Sequence, residues 1–230
     1  MFLAFVGMID KEDTSLCIRG NGKTCAMVFY LYLYKKKGYI VWTNFKTTFS
    51  DDIIGFQEMI NRLKKLYKEN EELKKQGKKP IEHKIVLGVT EMQELISSVG
   101  SDNNQKLFVT HFAGQIRKLN ADCLYDTQFL KGVQINLRRH TENIRIPVKY
   151  HLDGEQCNFD RCKKPHIIKI FSYKPFKENP IRMIKSHVVG KLYDSDEIIE
   201  DKLILPKEEK IKREKIKKEE DKNARIECQD

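Results

Sequence analysis

The sequence predicts an α/β fold: a central, mostly parallel sheet flanked by helices, with a small β insertion and a charged C-terminal tail. Three stretches carry this expectation. The short apolar run Leu16-Cys17-Ile18 passes through a glycine-rich turn into the long apolar segment 25–34, which reads as strand, tight loop and helix. Tyr39-Ile40-Val41-Trp42 then supplies a β-branched and aromatic strand, and strand, helix, strand is the unit of a parallel sheet. Residues 84–89 form a second apolar strand that delivers Thr90 and Glu91 at its C-terminal end, the end of a parallel sheet where ligands bind.

The turn at the head of the first helix is Arg19-Gly20-Asn21-Gly22-Lys23-Thr24, followed by Cys25. Glycines there let backbone N–H groups approach phosphate oxygens, and the helix N-terminus adds partial positive charge. Lys23 can reach the β- and γ-phosphates of ATP, and the Thr24 hydroxyl can ligate magnesium. The full phosphate-loop pattern has a glycine five positions before the Gly-Lys pair, where this chain has Cys17. Gly20 is placed to compensate.

Composition bounds the rest. The chain has 230 residues, 40% of them hydrophobic, which is enough for one α/β domain with a real core. Its net charge of +10 favours an anionic partner such as nucleic acid. The cysteines 17, 25, 123, 157, 162 and 228 show no disulfide-like framework and residues 1–8 lack a basic leader, so the expectation is a cytoplasmic protein without a signal peptide. No apolar run approaches the length of a membrane span.

In chain order, residues 2–8 read as an edge strand and residues 15–18 as the strand feeding the phosphate loop. The helix over 25–34 is apolar almost all round, as in a helix buried between layers, and Lys35-Lys36-Lys37-Gly38 suits its C-terminus. Phe56, Met59, Ile60, Leu63, Leu66, Tyr67 and Leu73 mark a helix over 56–77 with a solvated lysine and glutamate face.

Two readings hold at Thr90-Glu91. In one, Glu91 polarises an attacking water, and Thr90 stands where an aspartate would support magnesium through a bound water. In the other, Thr90 and Gln93 form a capping box for a helix over 92–99. A helix over 105–119 follows, and then a strand over 121–126. Thr127-Gln128 ends that strand, which is expected between the phosphate-loop strand and the Glu91 strand. Gln128 there either bonds the γ-phosphate or the lytic water, or satisfies a loop.

The order of Gly-Asn-Gly-Lys-Thr, Tyr-Ile-Val-Trp-Thr-Asn-Phe, Thr-Glu-Met-Gln, Arg117-Lys118, Thr127-Gln128, Leu137-Arg138-Arg139 and Leu-Tyr-Asp-Ser-Asp-Glu-Ile resembles the small Zot-like members of the FtsK/HerA group of P-loop ATPases. These occur in filamentous phages, archaeal viruses and related plasmids. The resemblance spans residues 16–199. It implies an additional-strand, catalytic-glutamate P-loop fold that works as a homo-oligomeric ring and couples ATP turnover to DNA translocation, packaging or virion assembly, with DNA and assembly proteins as partners. Under it, Lys23 and Thr24 hold phosphate and magnesium, Glu91 activates water, Gln128 senses the γ-phosphate, and Arg117 or Arg138 stabilises transition-state charge. The departures at Cys17 and Thr90 leave a second expectation: a nucleotide-binding structural or DNA-binding protein that has lost turnover. A small-molecule phosphotransferase would need a lid rich in arginine, which the sequence lacks.

Residues 1–145 are expected to form this core, and residues 146–205 a β extension completing the same domain. Residues 145–151 and 167–171 read as strands joined by a loop. His151, Cys157, Cys162 and His166 either hold zinc there or are ordinary free thiols and imidazoles. Residues 181–189 suggest one more strand, and residues 193–197 a turn or short helix. From 206 to 230 the chain is nearly all charged and cannot bury a core, giving a solvated helix or disordered tail.

Overall fold

The computed structural model describes residues 1–8, 22–96, 103–157, 162 and 164–193. Its centre is an eight-stranded sheet in the order β3-β2-β4-β5-β1-β6-β7-β8. The strands are β1 (Phe2–Met8), β2 (Ile40–Thr43), β3 (Asp52–Ile53), β4 (Ile85–Val89), β5 (Asp122–Phe129), β6 (Asn143–His151), β7 (His166–Lys174) and β8 (Lys177–Lys185). The first six run parallel, while β7 and β8 are antiparallel to their neighbours.

Residues 2–8 are not an edge strand. β1 pairs with β5 on one side and β6 on the other, and its residues 2–6 are buried on both faces. Strong apolarity without alternation is what a central parallel strand requires. β1 is therefore the described strand preceding the glycine-rich turn, and the strand expected over 15–18 lies outside the described residues. The C-terminal β segment continues the main sheet: β6 pairs with β1, and β7 and β8 follow, each antiparallel to the strand before it. β8 ends at Lys185, and residues 186–189, expected as strand, form a short helix. Residues 194–230, including the 193–197 turn beyond Tyr193 and the charged tail, lie outside the described residues.

Helices α1 (Lys23–Lys36), α2 (Phe56–Lys75), α3 (Met92–Leu95), α4 (Asn103–Lys118), α5 (Ile135–His140) and α6 (Ser186–Val189) cover the two faces. One core gathers α2, α3, α4 and α5 over one side of the sheet, with Phe112 edge-on to both Phe2 and Phe56. The other packs α1 and α6 on the opposite side. The all-round apolarity of α1 is accounted for: Ala26, Met27, Val28 and Leu31 are fully buried, and Phe29 and Tyr30 pack against the same cluster, which reaches Ile168, Ile170 and Ile184 of β7 and β8.

Candidate functional site

Polar side chains seldom stay buried without a partner, yet Lys23, Asn44, Thr90, Gln93 and Asp126 are all buried. Lys23 opens α1, Asn44 and Thr90 follow β2 and β4, Asp126 lies in the C-terminal half of β5, and Gln93 sits in the single turn of α3. Gly22 caps that helix at φ 89°, a left-handed conformation that favours glycine. A Cβ at Gly22 would stand 2.6 Å from Cδ1 of Ile168, so β7 walls the turn closely. Among the described residues no side chain caps α1, and its first turn holds no acid, which leaves first-turn N–H groups for an anion.

Lys23 Nζ donates to Gln128 Oε1 at 3.0 Å, and Gln128 Nε2 donates to Glu91 Oε1 at 3.5 Å. The lysine at the head of α1, the strand-end glutamine and the candidate base thus form one chain. Gln93 braces it from below: its Nε2 donates to Glu91 Oε2, and its Oε1 accepts from the Gln128 N–H at 3.2 Å.

Asp126 is the hub beside this chain. Fully buried, it accepts from the Thr24 hydroxyl at 2.6 Å, the Thr90 hydroxyl at 2.9 Å and the Glu91 N–H at 2.8 Å. The capping box expected of Thr90 and Gln93 does not form. The Thr90 hydroxyl is donated to Asp126, Gln93 faces Glu91, and the described helix is the single turn Met92–Leu95, with residues 97–102 outside the described set. Asn44, at the end of β2, holds the Thr90 backbone: its Oδ1 accepts the Thr90 N–H at 2.9 Å, and its Nδ2 donates to the Thr90 carbonyl at 3.4 Å.

Glu91 itself sits at φ 53°, ψ 45°. A non-glycine residue in that region carries strain of about 1 kcal/mol or more, and such strain persists where surroundings over-determine it. The Asp126 carboxylate holding the Glu91 N–H is that constraint. Burial raises the Glu91 carboxyl above its ordinary range, the Asp126 charge adds to the rise, and Gln93, Lys23 and Gln128 oppose it.

Of the remaining expected site residues, Arg19, Gly20 and Asn21 lie outside the described residues. The Cys25 side chain points into the core, where burial pushes its thiol up to about 12 against a hydrogen bond with Tyr193; only its backbone is left for a phosphate. Neither arginine joins the cluster. Arg117 is exposed at the end of α4, next to where β5 begins, and from there the strand runs six residues to Gln128, roughly 20 Å. Arg138 lies near Tyr125, whose hydroxyl it influences. Tyr125 belongs to the core under α2 and α4, the sheet face opposite Asp126 and Gln128.

Asp126 and Gln93 were missed in the sequence, but a signal existed. Asp126 and Gln128 are two apart on one strand and so share a face.

A second cluster stands at the far end of the β6–β7 hairpin. His151 and His166 are cross-strand partners with ring centroids 4.8 Å apart. Gly154, at φ 97°, turns the chain so that the Cys157 N–H bonds the Lys149 carbonyl. One donor atom each from His151, Cys157, Cys162 and His166 then lies within 4.8 Å of the others. Burial, with the charges of Lys149 and His151, lowers the His166 pKa.

A lysine and threonine at the head of α1, following the central β1, together with β5 between β1 and the Glu91 strand, make this a P-loop NTPase fold of the additional-strand type. No protein-family model and no curated protein matches the chain. Among solved structures, it is similar to the N-terminal domain of zonular occludens toxin from Neisseria meningitidis, with TM-score 0.42 and 17% identity over 84% of this chain and 98% of that one. The genome packaging NTPase B204 from Sulfolobus turreted icosahedral virus 2, in complex with ATP-gammaS, gives TM-score 0.43 and 9% identity over 80% and 95%. The pCW3 conjugation coupling protein TcpA gives TM-score 0.39 and 14% identity over 62% of this chain; the match spans about half, 48%, of TcpA. Among the described residues, no helix is long and apolar enough to cross a membrane.

Proposed function

We propose that the chain binds ATP with magnesium at the head of α1, hydrolyses it, and uses the turnover as a homo-oligomeric motor acting on DNA, in translocation, packaging or particle assembly. One observation carries the hydrolytic reading: Lys23, Gln128 and Glu91 are hydrogen-bonded in series beside the Thr24–Asp126 pair. With ATP present, the Lys23 ammonium would turn from Gln128 to the β- and γ-phosphates, freeing the amide for the γ-phosphate or the attacking water. Glu91 would take a proton from that water as its oxygen attacks phosphorus and the bond to the β-phosphate oxygen breaks.

The donor set at Thr24 fits magnesium. Its hydroxyl proton is already given to Asp126, which leaves the oxygen lone pairs for a cation. Bound there, magnesium would withdraw charge from the β- and γ-phosphate oxygens. Asp126 supplies the buried negative charge that Thr90 lacks, so the departure at Thr90 does not by itself abolish the site. Charge stabilisation by Arg117 falls to another copy of the chain, because its own site is at the other end of β5. The DNA step rests on the order of motifs and the +10 net charge.

The rival is a binder without turnover. It is favoured by the engagement of both Glu91 oxygens with Gln93 and Gln128.

Steady-state ATP hydrolysis with magnesium, with and without DNA, tests the motor. Turnover that DNA stimulates supports it; turnover indifferent to DNA leaves an ATPase and removes the motor. Lys23→Ala should weaken nucleotide binding about tenfold or more, a loss of about 1.4 kcal/mol or more, read by titration with a fluorescent ATP analogue.

A further inference from the structure

The His151, Cys157, Cys162 and His166 quartet is outside the nucleotide chemistry, and its geometry points to a ligand of its own. We propose that these four side chains bind one zinc ion tetrahedrally, as a structural clamp on the β6–β7 hairpin.

Three observations carry this. Four donor atoms already lie within 4.8 Å of one another, whereas zinc bonds of about 2.0–2.3 Å set tetrahedral donor separations of about 3.3–3.8 Å. A small inward shift of the four donor side chains completes the site. Next, His151 Nδ1 and His166 Nε2 are buried with no hydrogen-bond partner among the described residues. A buried imidazole nitrogen left so is costly, and a metal would satisfy it. Finally, two thiolates with two neutral imidazoles balance a divalent charge and select zinc over magnesium or calcium, which prefer oxygen. Four protein ligands leave no open position, so the site is structural and not catalytic.

The turn explains how the donors converge. His151 and His166 close the β6–β7 ladder, and the reversal over 152–156 returns Cys157 beside Lys149. The residues of that reversal are exposed, so little apolar packing holds it. His166 lies two residues from Ile168, the side chain against which Gly22 rests. Zinc would thus fix the strand that walls the phosphate turn.

The test is metal content, read without nucleotide and so independent of the ATPase reading. The full chain, purified without chelator, should hold one zinc per chain by mass spectrometry, and the Cys157→Ser, Cys162→Ser double variant less than about a tenth of that. Cobalt added to the chelated parent chain should give the visible bands of tetrahedral cobalt and a thiolate charge-transfer band. That measurement stands even where the variant fails to fold. Chelation should also lower Tm, with zinc restoring it. A parent chain free of zinc whose cobalt form lacks those bands overturns the proposal, as does recovery of Cys157 and Cys162 as a disulfide.

Discussion

At the scale of residues, the site turns on where one carboxylate is kept. Thr90 removes the aspartate from the end of β4, and Asp126 on the adjacent β5 accepts the Thr24 hydroxyl, the Thr90 hydroxyl and the Glu91 N–H. Asp126→Asn should therefore weaken ATP binding about tenfold or more in magnesium, with little effect in its absence. It should also cost about 1–3 kcal/mol of stability, since an amide N–H₂ would meet donors. Adding Thr90→Asp should recover the magnesium dependence; a double variant no better than the single one contradicts the relocation. The raised Glu91 carboxyl has a pH signature. As a base it works deprotonated, so turnover should fall, as pH falls, through a midpoint above the ordinary glutamate range. The same shift costs stability: folding favours the protonated form, and that preference is lost as pH rises through the raised value. Glu91→Gln should consequently lose less stability than the parent as pH rises through the raised value, read by calorimetry across pH. Lys23, Thr24, Glu91 and Gln128, which loop and strand-end positions single out as candidates, are brought into one cluster by the fold. Asp126 carries only the weaker signal of its two-residue spacing from Gln128, which puts both on one face but does not show which of two neighbouring strands will supply a charge.

At the scale of elements, periodicity and strand-end chemistry locate every described strand except β3, and the helices α1 to α4, though not α5, α6 or the places of the strands in the sheet. β1 reads as apolar whether it lies at an edge or at the centre, and only its pairing with both β5 and β6 decides. The helix after Glu91 was overextended because a Thr-x-x-Gln spacing suits a cap in isolation; in the folded chain both side chains have stronger partners. The two-residue β3 is too short for any pattern to reveal. Close approach between elements makes its own prediction. Gly88 of β4 faces α1, and a Cβ there would meet Leu31 Cδ1 at 2.5 Å and Thr43 Cγ2 at 3.1 Å. Leu31 is fully buried and cannot swing aside. Gly88→Ala should cost about 1–3 kcal/mol by overpacking, seen as a lower denaturation midpoint.

At the scale of the whole molecule, one sheet joins a parallel half that carries the proposed nucleotide site to an antiparallel half whose β7 lies against Gly22. The α1 helix links them, seated on Leu124 and Val86 on one side and reaching Ile168 and Ile184 on the other. The sheet runs on past residue 145 through β6 to β8 without a break. The basic balance of the chain fits an anionic track, but work on such a track requires turnover first. The measurement that reaches the central claim most directly is magnesium-dependent ATP hydrolysis by Glu91→Gln against the parent, with nucleotide binding measured on both. The account predicts equal binding and turnover lowered by about 10²–10⁴-fold. A Glu91→Gln chain that hydrolyses ATP as fast as the parent would contradict it.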